Sequence, residues 1–467
     1  MEIIGQVIIY IMMAFLLVGA VSAIFNDEKG FGKEFKEGIY SIGPIFLPVA
    51  GIMCFIPILS DLVARYVAPL YSLLHADPSL AATTLIAGDM GGYHLAHETA
   101  GSHSAWIMAF AVSFTAGSTI IFSIPVGLAM LQKRDHKYMA LGVMAGLLAI
   151  PFAVFIITLL LQTAHTPLRE DVSTSSASTA PFDLPLGEIL LNLLPLTVFV
   201  ILLALGLRFA SRIMVTGFIY FGRFLDILIK LALALSVVQY FTNVFDVFGP
   251  WPLAPFIADA DDQFRALEVA GYIGVMLAGA FPMVYAIRTW LAKPLEKAGG
   301  KLGFSEEGAT GLLAGAANIL ALFRIITLMP PRDKVLTIAF AVCAAFTFGD
   351  HLAFSANFQP NMVFALIIGK LAGGVIGIVL ALWLALPYAR VLESQDRAAG
   401  VIGADEYRHS HLPSHARADA RTEPVGGASG VMADKSADGG PDLDPPRLNS
   451  SAKPGPGGGS AVRARVE

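Results

Sequence analysis

Apolar stretches of about 20 residues recur through most of this 467-residue chain. A stretch of that length crosses the hydrocarbon core of a bilayer as one α-helix, because only a helix satisfies its own backbone there. Only 14% of the residues are charged, against about 25% in soluble domains. The sequence therefore predicts an all-α polytopic membrane protein. The predicted spans are Ile3–Phe25, Gly38–Ser60, Ser104–Leu131, Lys137–Leu161, Gly187–Leu207, Ile227–Phe245, Ala266–Leu291, Lys334–Ala356 and Asn361–Tyr388.

Two further apolar segments, Pro78–Gly101 and Ser305–Leu328, are interrupted by glycines and polar residues. Basic residues of short loops mark the cytoplasmic side. The basic loops lie around residues 29–36, 133–137, 208–212, 288–301 and 332–334, whereas loops 162–186 and 246–265 are predicted to be external. All basic loops share one side if both interrupted segments are re-entrant hairpins. An extra short span over Leu62–Leu74 would also place the basic loop at 133–137 on the cytoplasmic side. About nine to eleven transmembrane helices are therefore expected.

The two halves of the chain resemble each other. IMAFAVSFTAGSTIIFS, starting at Ile107, is similar to TIAFAVCAAFTFGDHLAFS, starting at Thr337. With the predicted topology the repeats are inverted, an organisation found in many secondary transporters. The predicted regions are an N-terminal helix and loop (1–36), a first repeat (37–161), linking helices (162–267), a second repeat (268–389) and a disordered cytoplasmic tail (390–467), which is rich in Gly, Pro and Ser.

Polar residues interrupt the apolar segments at four places. The stretch LIAGDMGGYHLAHE contains Asp89, and an acid at the centre of a membrane helix costs roughly 2.5–3.5 kcal/mol. Asp89 could cap a half-helix, or it could contact a substrate or an ion directly. Asp350 lies in a segment with no evident helix break, so we expect a functional role there, although pairing with His351 or Lys370 is an alternative. Because of the repeat, we expect the four polar interruptions to meet in one region near the midplane.

Carboxylates without matching lysines favour a cationic ligand, and aromatic faces attract ammonium groups. The predicted substrate-binding residues are Asp89, Asn318, Asp350, His351, Ser118, Thr119, Tyr93 and Phe354, with chain breaks at Gly88, Gly91, Gly92 and Gly349. The sequence shows no catalytic motif, so we expect no enzyme activity and no cofactor. His94 and His97 lack a third ligand, so we expect no metal site, and nucleic acid is not an expected partner.

Several motifs resemble the EutH ethanolamine utilisation family. They are GDMGGYHLAHE, IIFSIPVGL, ALGVMAGLLAIP, AFAVCAAFTFGDHLAF and GKLAGG. The resemblance implies a multi-pass protein of the cytoplasmic membrane that passes ethanolamine into the cell. It carries over as motif positions Asp89, Gly91, Gly92, Glu98, Ser123, Pro125, Gly349, Asp350 and His351. The chain departs from the family pattern at Leu320, where a proline is usual, and at His97, where a lysine is usual.

The sequence therefore predicts uptake of protonated ethanolamine, or of a closely similar small cation, by a protein embedded in the lipid bilayer. Three alternatives are kept: an ion-coupled transporter of another amine or amino acid, a passive facilitator, and a membrane assembly protein that moves no substrate. The sequence leaves open the coupling ion, the direction of transport and whether the protein is a homo-oligomer.

Overall fold

The computed structural model describes residues 2–249, 253, 265–403 and 407. The first half begins with α1 (Glu2–Phe25) and contains ten more α-helices. They are α2 (Gly30–Tyr40), α3 (Ile42–Met53), α4 (Ile56–Leu62), α5 (Ala68–Leu73), α6 (Ser79–Leu85), α7 (Gly92–Thr99), α8 (His103–Val112), α9 (Ile124–Met130), α10 (His136–Leu147) and α11 (Ile150–Thr163). The π-helical stretches are Val63–Val67, Ser113–Gly117 and Thr119–Ser123, and the 3-10 turns are Gly88–Met90 and Lys133–Asp135.

The second half follows a small antiparallel β-hairpin, β1 (Pro167–Arg169) with β2 (Ser178–Pro181). Its helices are α12 (Leu186–Phe209), α13 (Ser211–Thr242), α14 (Arg265–Lys301), α15 (Glu306–Ala317), α16 (Ile319–Ile325), α17 (Pro331–Ala344), α18 (Asp350–Phe358), α19 (Val363–Leu380) and α20 (Leu386–Ala398). The remaining stretches are 3-10 turns at Val244–Phe248, Ile326–Leu328 and Pro360–Met362, and a π-helical stretch at Ala381–Ala385.

The helices confirm an all-α polytopic membrane protein. Within the described residues, 7 helices are long and apolar enough to cross a membrane, and the bent pair Gly30–Met53 and Ile56–Leu73 adds an eighth. Two shorter helices, α17 and α18, follow one another through the molecule. Lys334 near the start of α17 contacts Asp135 before α10, and Asn357 near the end of α18 contacts Arg169 beyond α11. These pieces therefore run between the same two ends as α10 and α11.

Ion pairs mark one end of the molecule, which we call the basic face. Lys334 Nζ donates to Asp135 Oδ1 at 2.7 Å, and both side chains are buried. Lys137 forms a second ion pair there with Asp396. The ends of α10, α17 and α20 therefore meet at this face. We call the opposite end, where β1 and β2 lie, the β-hairpin face.

Two re-entrant hairpins enter from opposite faces. Hairpin 1 (residues 79–99, α6 and α7) is closed at its base because Asp77 Oδ2 accepts a hydrogen bond from the Gly101 N–H at 2.8 Å. Hairpin 2 (residues 306–325, α15 and α16) is closed because Asp333 Oδ2 accepts from the Ser305 N–H at 2.7 Å. Asp333 precedes Lys334 at the basic face, whereas the Asp77 N–H bonds Asn192 of α12 near the β-hairpin face. This is the arrangement expected of inverted repeats.

Glycines allow the long helices to pack closely, as is usual where small residues line membrane helix interfaces. A Cβ on Gly142 of α10 would lie 2.7 Å from the Val335 carbonyl oxygen of α17. A Cβ on Gly377 of α19 would lie 2.5 Å from the Ala339 carbonyl oxygen of the same helix. The helices α10, α17 and α19 thus form a close-packed support beneath the hairpins.

The structure corrects three sequence-based expectations. The predicted span Lys334–Ala356 is not continuous, because the helix stops at Ala344 and restarts at Asp350. The predicted loop 162–186 contains the β-hairpin. The tail does not begin at residue 390, because α20 continues to Ala398 and its Asp396 is buried against α10. Two predicted regions lie largely outside the described residues. They are the tail, at residues 404–406 and 408–467, and an external loop, at residues 250–252 and 254–264.

Candidate functional site

The tip of hairpin 1 is a non-helical turn that carries Asp89. The backbone is extended at Ile86 and Ala87, makes one 3-10 turn at Gly88–Met90, and reverses at Gly91, whose φ is +93°. Glycine is suited to this left-handed conformation because a Cβ would be strained there. The turn places the Asp89 side chain at the tip of the hairpin.

The tip of hairpin 2 is shorter and carries an amide. Asn318 is extended between α15 and α16, and its Oδ1 accepts a hydrogen bond from the Leu320 N–H at 2.8 Å. Asn318 therefore caps the N-terminus of α16 with its own side chain.

Each hairpin tip rests on a glycine of a neighbouring helix. Gly117 follows α8, and a Cβ there would lie 2.4 Å from the Ile86 carbonyl oxygen of hairpin 1. Gly349 precedes α18, and a Cβ there would lie 2.4 Å from the Ala317 carbonyl oxygen of hairpin 2. The two contacts are equivalent in the repeat and bring residues 118–119 and 350–351 beside the tips.

The break between α17 and α18 is held by hairpin 2. Phe346 has a φ of +59°, and the Phe348 N–H donates to the Ala316 carbonyl at 3.0 Å. Asp350 is consequently the first residue of α18. The expectation that Asp350 has no nearby helix break is wrong, because backbone groups freed by the break bond to hairpin 2 rather than to their own helix.

The tips and the break enclose a cavity of about 220 Å³, which we call the central cavity. Its polar lining comes from both halves of the chain and consists of Ser41, Asp89, Ser118, Asn318, Asp350 and His351. Its apolar walls include Pro44, Pro48, Phe122, Phe281 and Phe346. Five predicted site residues, Asp89, Ser118, Asn318, Asp350 and His351, thus meet at one place.

Among the described residues, no lysine, arginine or histidine nitrogen forms an ion pair with either carboxylate of the central cavity, Asp89 or Asp350. The buried ammonium of Lys370 is close enough to Asp89 to interact with it electrostatically. The fully buried Lys370 donates its hydrogen bond to the Phe114 carbonyl. The His351 ring stacks on Phe114, with ring centroids 4.0 Å apart. The carboxylates are therefore available to a ligand that brings positive charge.

Three predicted site residues do not line the central cavity. Thr119 is buried, and its hydroxyl donates to the Val342 carbonyl at 2.9 Å, so it joins the two repeats. Tyr93 lies beyond the Gly91 reversal, and its hydroxyl accepts a hydrogen bond from Gln359 Nε2 at 3.0 Å. Phe354 packs edge-on against Tyr93, with ring centroids 5.4 Å apart. The two aromatic rings belong to a buried cluster behind the cavity.

A second cavity, of about 400 Å³, adjoins the first, and we call it the vestibule. The two cavities share four of their lining residues, which are Ser41, Phe281, Asn318 and Leu320. The other lining residues are mostly polar and include Lys33, Glu34, Glu37, Tyr285, Arg288 and Arg324. The vestibule thus leads from the central cavity along α16, from the tip of hairpin 2 towards its base at the basic face.

Sequence reasoning missed the walls contributed by α3 and α14. Pro48 lies inside α3 and Pro282 inside α14, next to the lining residue Phe281. A proline within a membrane helix is tolerated where neighbouring groups compensate for the lost hydrogen bond. These prolines are the signal that could have found both walls.

Comparison with known proteins decides the family. A family model described as "Ethanolamine utilisation protein, EutH" matches residues 4–384. The chain belongs to the EutH family. The resemblance noted from the motifs is thereby confirmed, and the match ends just before α20.

Individual EutH relatives are similar over most of their length. "Probable ethanolamine permease EutH" of Listeria monocytogenes is 36% identical over 383 residues, which cover 82% of this chain and 94% of that protein. The protein of the same name from Escherichia coli is 36% identical over 405 residues, covering 82% and 95%. "Uncharacterized protein YxeR" of Bacillus subtilis is 34% identical, covering 82% and 95%. No solved structure matches.

The name of these relatives is that of a permease and not of an enzyme. Membership of the EutH family and the many apolar helices make this chain a multi-pass membrane protein. Within the described residues, no group of three or more His, Cys, Asp or Glu side chains is placed to hold a metal ion.

Proposed function

We propose that this protein moves protonated ethanolamine across the membrane and that the central cavity is its binding site. The observation that carries the proposal is the pair of carboxylates, Asp89 and Asp350, which line one small cavity between the two repeats. The names of the EutH relatives support ethanolamine as the amine.

The chemistry of ethanolammonium fits the cavity lining. An aliphatic amine is cationic at neutral pH, like that of lysine, and donates hydrogen bonds that carboxylates accept. The hydroxyl at the other end of the molecule can both donate and accept, so it suits the Asn318 amide and the Ser118 hydroxyl. A cavity of about 220 Å³ is smaller than typical drug-sized ligand pockets, which favours a small solute.

The hydrogen-bonding groups and the charge of the lining also disfavour related solutes. Choline lacks N–H donors, so it cannot form hydrogen bonds with Asp89 or Asp350 through its cationic group. Amino acids carry a carboxylate of their own, which two cavity carboxylates repel. We therefore expect propanolamine to compete with ethanolamine, and choline and amino acids to compete weakly.

The basic face is cytoplasmic in this proposal, since short loops rich in lysine and arginine are retained inside. The β-hairpin and the base of hairpin 1 then face the outside, and α20 ends in the cytoplasm. The vestibule provides the cytoplasmic exit from the central cavity.

Uptake of labelled ethanolamine into proteoliposomes tests the proposal, with and without a proton gradient. Asp350→Asn keeps the size of the side chain and removes its charge. We expect uptake at low substrate concentration to fall by at least roughly 30-fold, because losing one partner of a buried charge pair costs about 2–5 kcal/mol. The matched control is Asp226→Asn, whose carboxylate is exposed on α13 and pairs with Lys230.

The outcomes separate the alternatives. Accumulation that depends on the gradient indicates a coupled transporter, and saturable equilibration indicates a facilitator. Unchanged uptake in Asp350→Asn would contradict the assigned site. No uptake by the unaltered protein would contradict the proposed substrate and favour another amine or a role in membrane assembly.

A further inference from the structure

A cavity that shares its lining extends from the central cavity towards the basic face. The shared lining residues Ser41 and Asn318 connect the central cavity with this vestibule. Towards the β-hairpin face, buried aromatic side chains lie next to the central cavity.

An aromatic cluster separates the central cavity from the β-hairpin face. The cluster consists of Tyr93, Trp106, Phe110, Phe354 and Phe358, each no more than 2% exposed. The Phe354 and Phe358 rings stack with centroids 4.3 Å apart, and Tyr93 lies 4.8–5.6 Å from the other four rings. These side chains come from α7, α8 and α18. The cluster, which we call the seal, therefore joins hairpin 1 to the second repeat.

A hydrogen-bonded connection holds this seal from the β-hairpin side. The fully buried Gln359 side chain donates to the Tyr93 hydroxyl at 3.0 Å and to the Arg169 carbonyl at 3.2 Å. Its Oε1 accepts from the Arg169 N–H at 3.0 Å. The Arg169 backbone of β1 is therefore joined, through one amide side chain, to a ring of the seal.

The Arg169 guanidinium adds a second connection at the end of α18. It donates to the carbonyls of Asn357 and Phe358, and its Nε donates to the Ser176 carbonyl at 2.8 Å. A cation at a helix C-terminus is favourable because the last carbonyls have no partner within the helix. His103 Nε2 lies 2.8 Å from the Arg169 carbonyl and brings the start of α8 into the same network.

The partners of Arg169 suit a contact that must open. Its guanidinium bonds carbonyl oxygens, and among the described residues no carboxylate lies within ion-pairing distance of it. Water can replace a carbonyl as an acceptor at small cost. At the basic face, by contrast, the buried pair Lys334–Asp135 would leave two charges to be solvated if it separated.

We propose that this structure is the state open to the basic face, and that the Arg169–Gln359 network is a latch whose release opens the central cavity to the β-hairpin face. This inference rests on the proposed transport function, because only a transported substrate requires access from both faces. Release would free α18 and α7 to move apart while the α10, α17 and α19 support stays fixed.

Cysteine accessibility tests the latch without any substrate. The reporter is Ile45→Cys in the central cavity, in a chain where the buried Cys54 and Cys343 are replaced by alanine. Vesicles of known orientation are treated with a membrane-impermeant methanethiosulfonate that carries a quaternary ammonium. The exposed Ala177→Cys marks the β-hairpin face. We expect the reporter to react at least about tenfold faster from the basic face.

Arg169→Gln is the latch variant. We expect it to raise the reaction rate from the β-hairpin face by roughly tenfold, as loss of charge-assisted hydrogen bonds shifts the equilibrium towards opening. Gln359→Met keeps the volume, removes the amide and should act in the same direction. Thr179→Ala is the matched control, because this residue lies on β2 and bonds only Glu170 among the described side chains.

The latch would be overturned if the reporter reacted at the control rate from the β-hairpin face in both Arg169→Gln and Gln359→Met. The Arg169→Gln protein must be monodisperse for this comparison. Equal reaction of the unaltered reporter chain from both faces would overturn the assignment of the open state. Increased β-hairpin-face reaction in both variants supports the latch even where ethanolamine is not taken up, so a failed substrate and a failed latch are distinguishable.

Discussion

Hairpins 1 and 2 share a construction but differ in the group that each presents at its tip. In both, an aspartate at the base accepts a hydrogen bond from the opposite leg, and a glycine of the neighbouring helix supports the tip. Hairpin 1 presents the carboxylate of Asp89 beside the hydroxyl of Ser118. Hairpin 2 presents the amide of Asn318 beside the carboxylate of Asp350.

In the proposed site, the two repeats would therefore share the binding of one cation. Each contributes one carboxylate and one neutral hydrogen-bonding group, but the carboxylate is on the hairpin in the first repeat and on the broken helix in the second. A cation bound by Asp89 and Asp350 therefore joins both repeats. Movement of either hairpin changes the distance between the two carboxylates, which couples binding to conformation.

The two hairpins should differ most in how much the aspartate at the base contributes to stability. Asp333 is fully buried and bonds both Ser305 and Arg332, whereas Asp77 is half-buried. We expect Asp333→Ala to destabilise the protein by about 3 kcal/mol and Asp77→Ala by about 1–2 kcal/mol. Thermal unfolding in detergent measures both, with the exposed Asp226→Ala as control. Equal losses would show that burial of the base does not matter.

The supporting glycines should show the two repeats to be equivalent. Gly117→Ala and Gly349→Ala each place a Cβ 2.4 Å from a hairpin carbonyl oxygen, so the hairpin must shift. We expect each to cost about 1–3 kcal/mol and to lower ethanolamine uptake. Gly271→Ala is the control, because a Cβ there meets nothing within 4 Å. A loss confined to one of the two glycines would show that only one hairpin is fixed in position.

The helix caps should give the smallest effect. The Ser102 hydroxyl accepts from the Ala105 N–H at the start of α8, and the Ser305 hydroxyl accepts from the Gly308 N–H at the start of α15. We expect Ser102→Ala and Ser305→Ala to cost about 1 kcal/mol each, with Ser305→Ala the larger because that residue is buried. Unfolding temperatures relative to the exposed Ser394→Ala provide the measurement. A larger loss for Ser102→Ala would contradict the burial argument.

The sequence predicted the elements that depend on composition along the chain. Uninterrupted apolar length predicted most of the long helices, but not the break within Lys334–Ala356, and interrupted apolar length predicted the two hairpins. The repeat then indicated that Asp89, Ser118, Asn318, Asp350 and His351 meet, and the structure places all five on the central cavity.

The sequence could not predict features that depend on contacts between distant residues. The break before Asp350 contains no proline, and it exists because backbone groups of residues 346 and 348 bond to hairpin 2. Tyr93 follows Asp89 closely in the chain but lies behind the cavity, since Gly91 reverses the backbone between them. The latch joins residues 190 positions apart, at Arg169 and Gln359, and no local pattern marks either residue.

The division of the binding site between two repeats has a consequence for how the protein is made. Asp89 leaves the ribosome about 230 residues before Asn318, which at about 5–20 residues per second is a delay of roughly 10–45 s. During this interval the first repeat is in the membrane with its acidic tip uncovered on one side. Both partners of its base, Asp77 and Gly101, have been made early in this interval, whereas both partners of the base of hairpin 2, Ser305 and Asp333, come only at its end or later. Hairpin 1 can therefore be a finished template onto which the second repeat assembles.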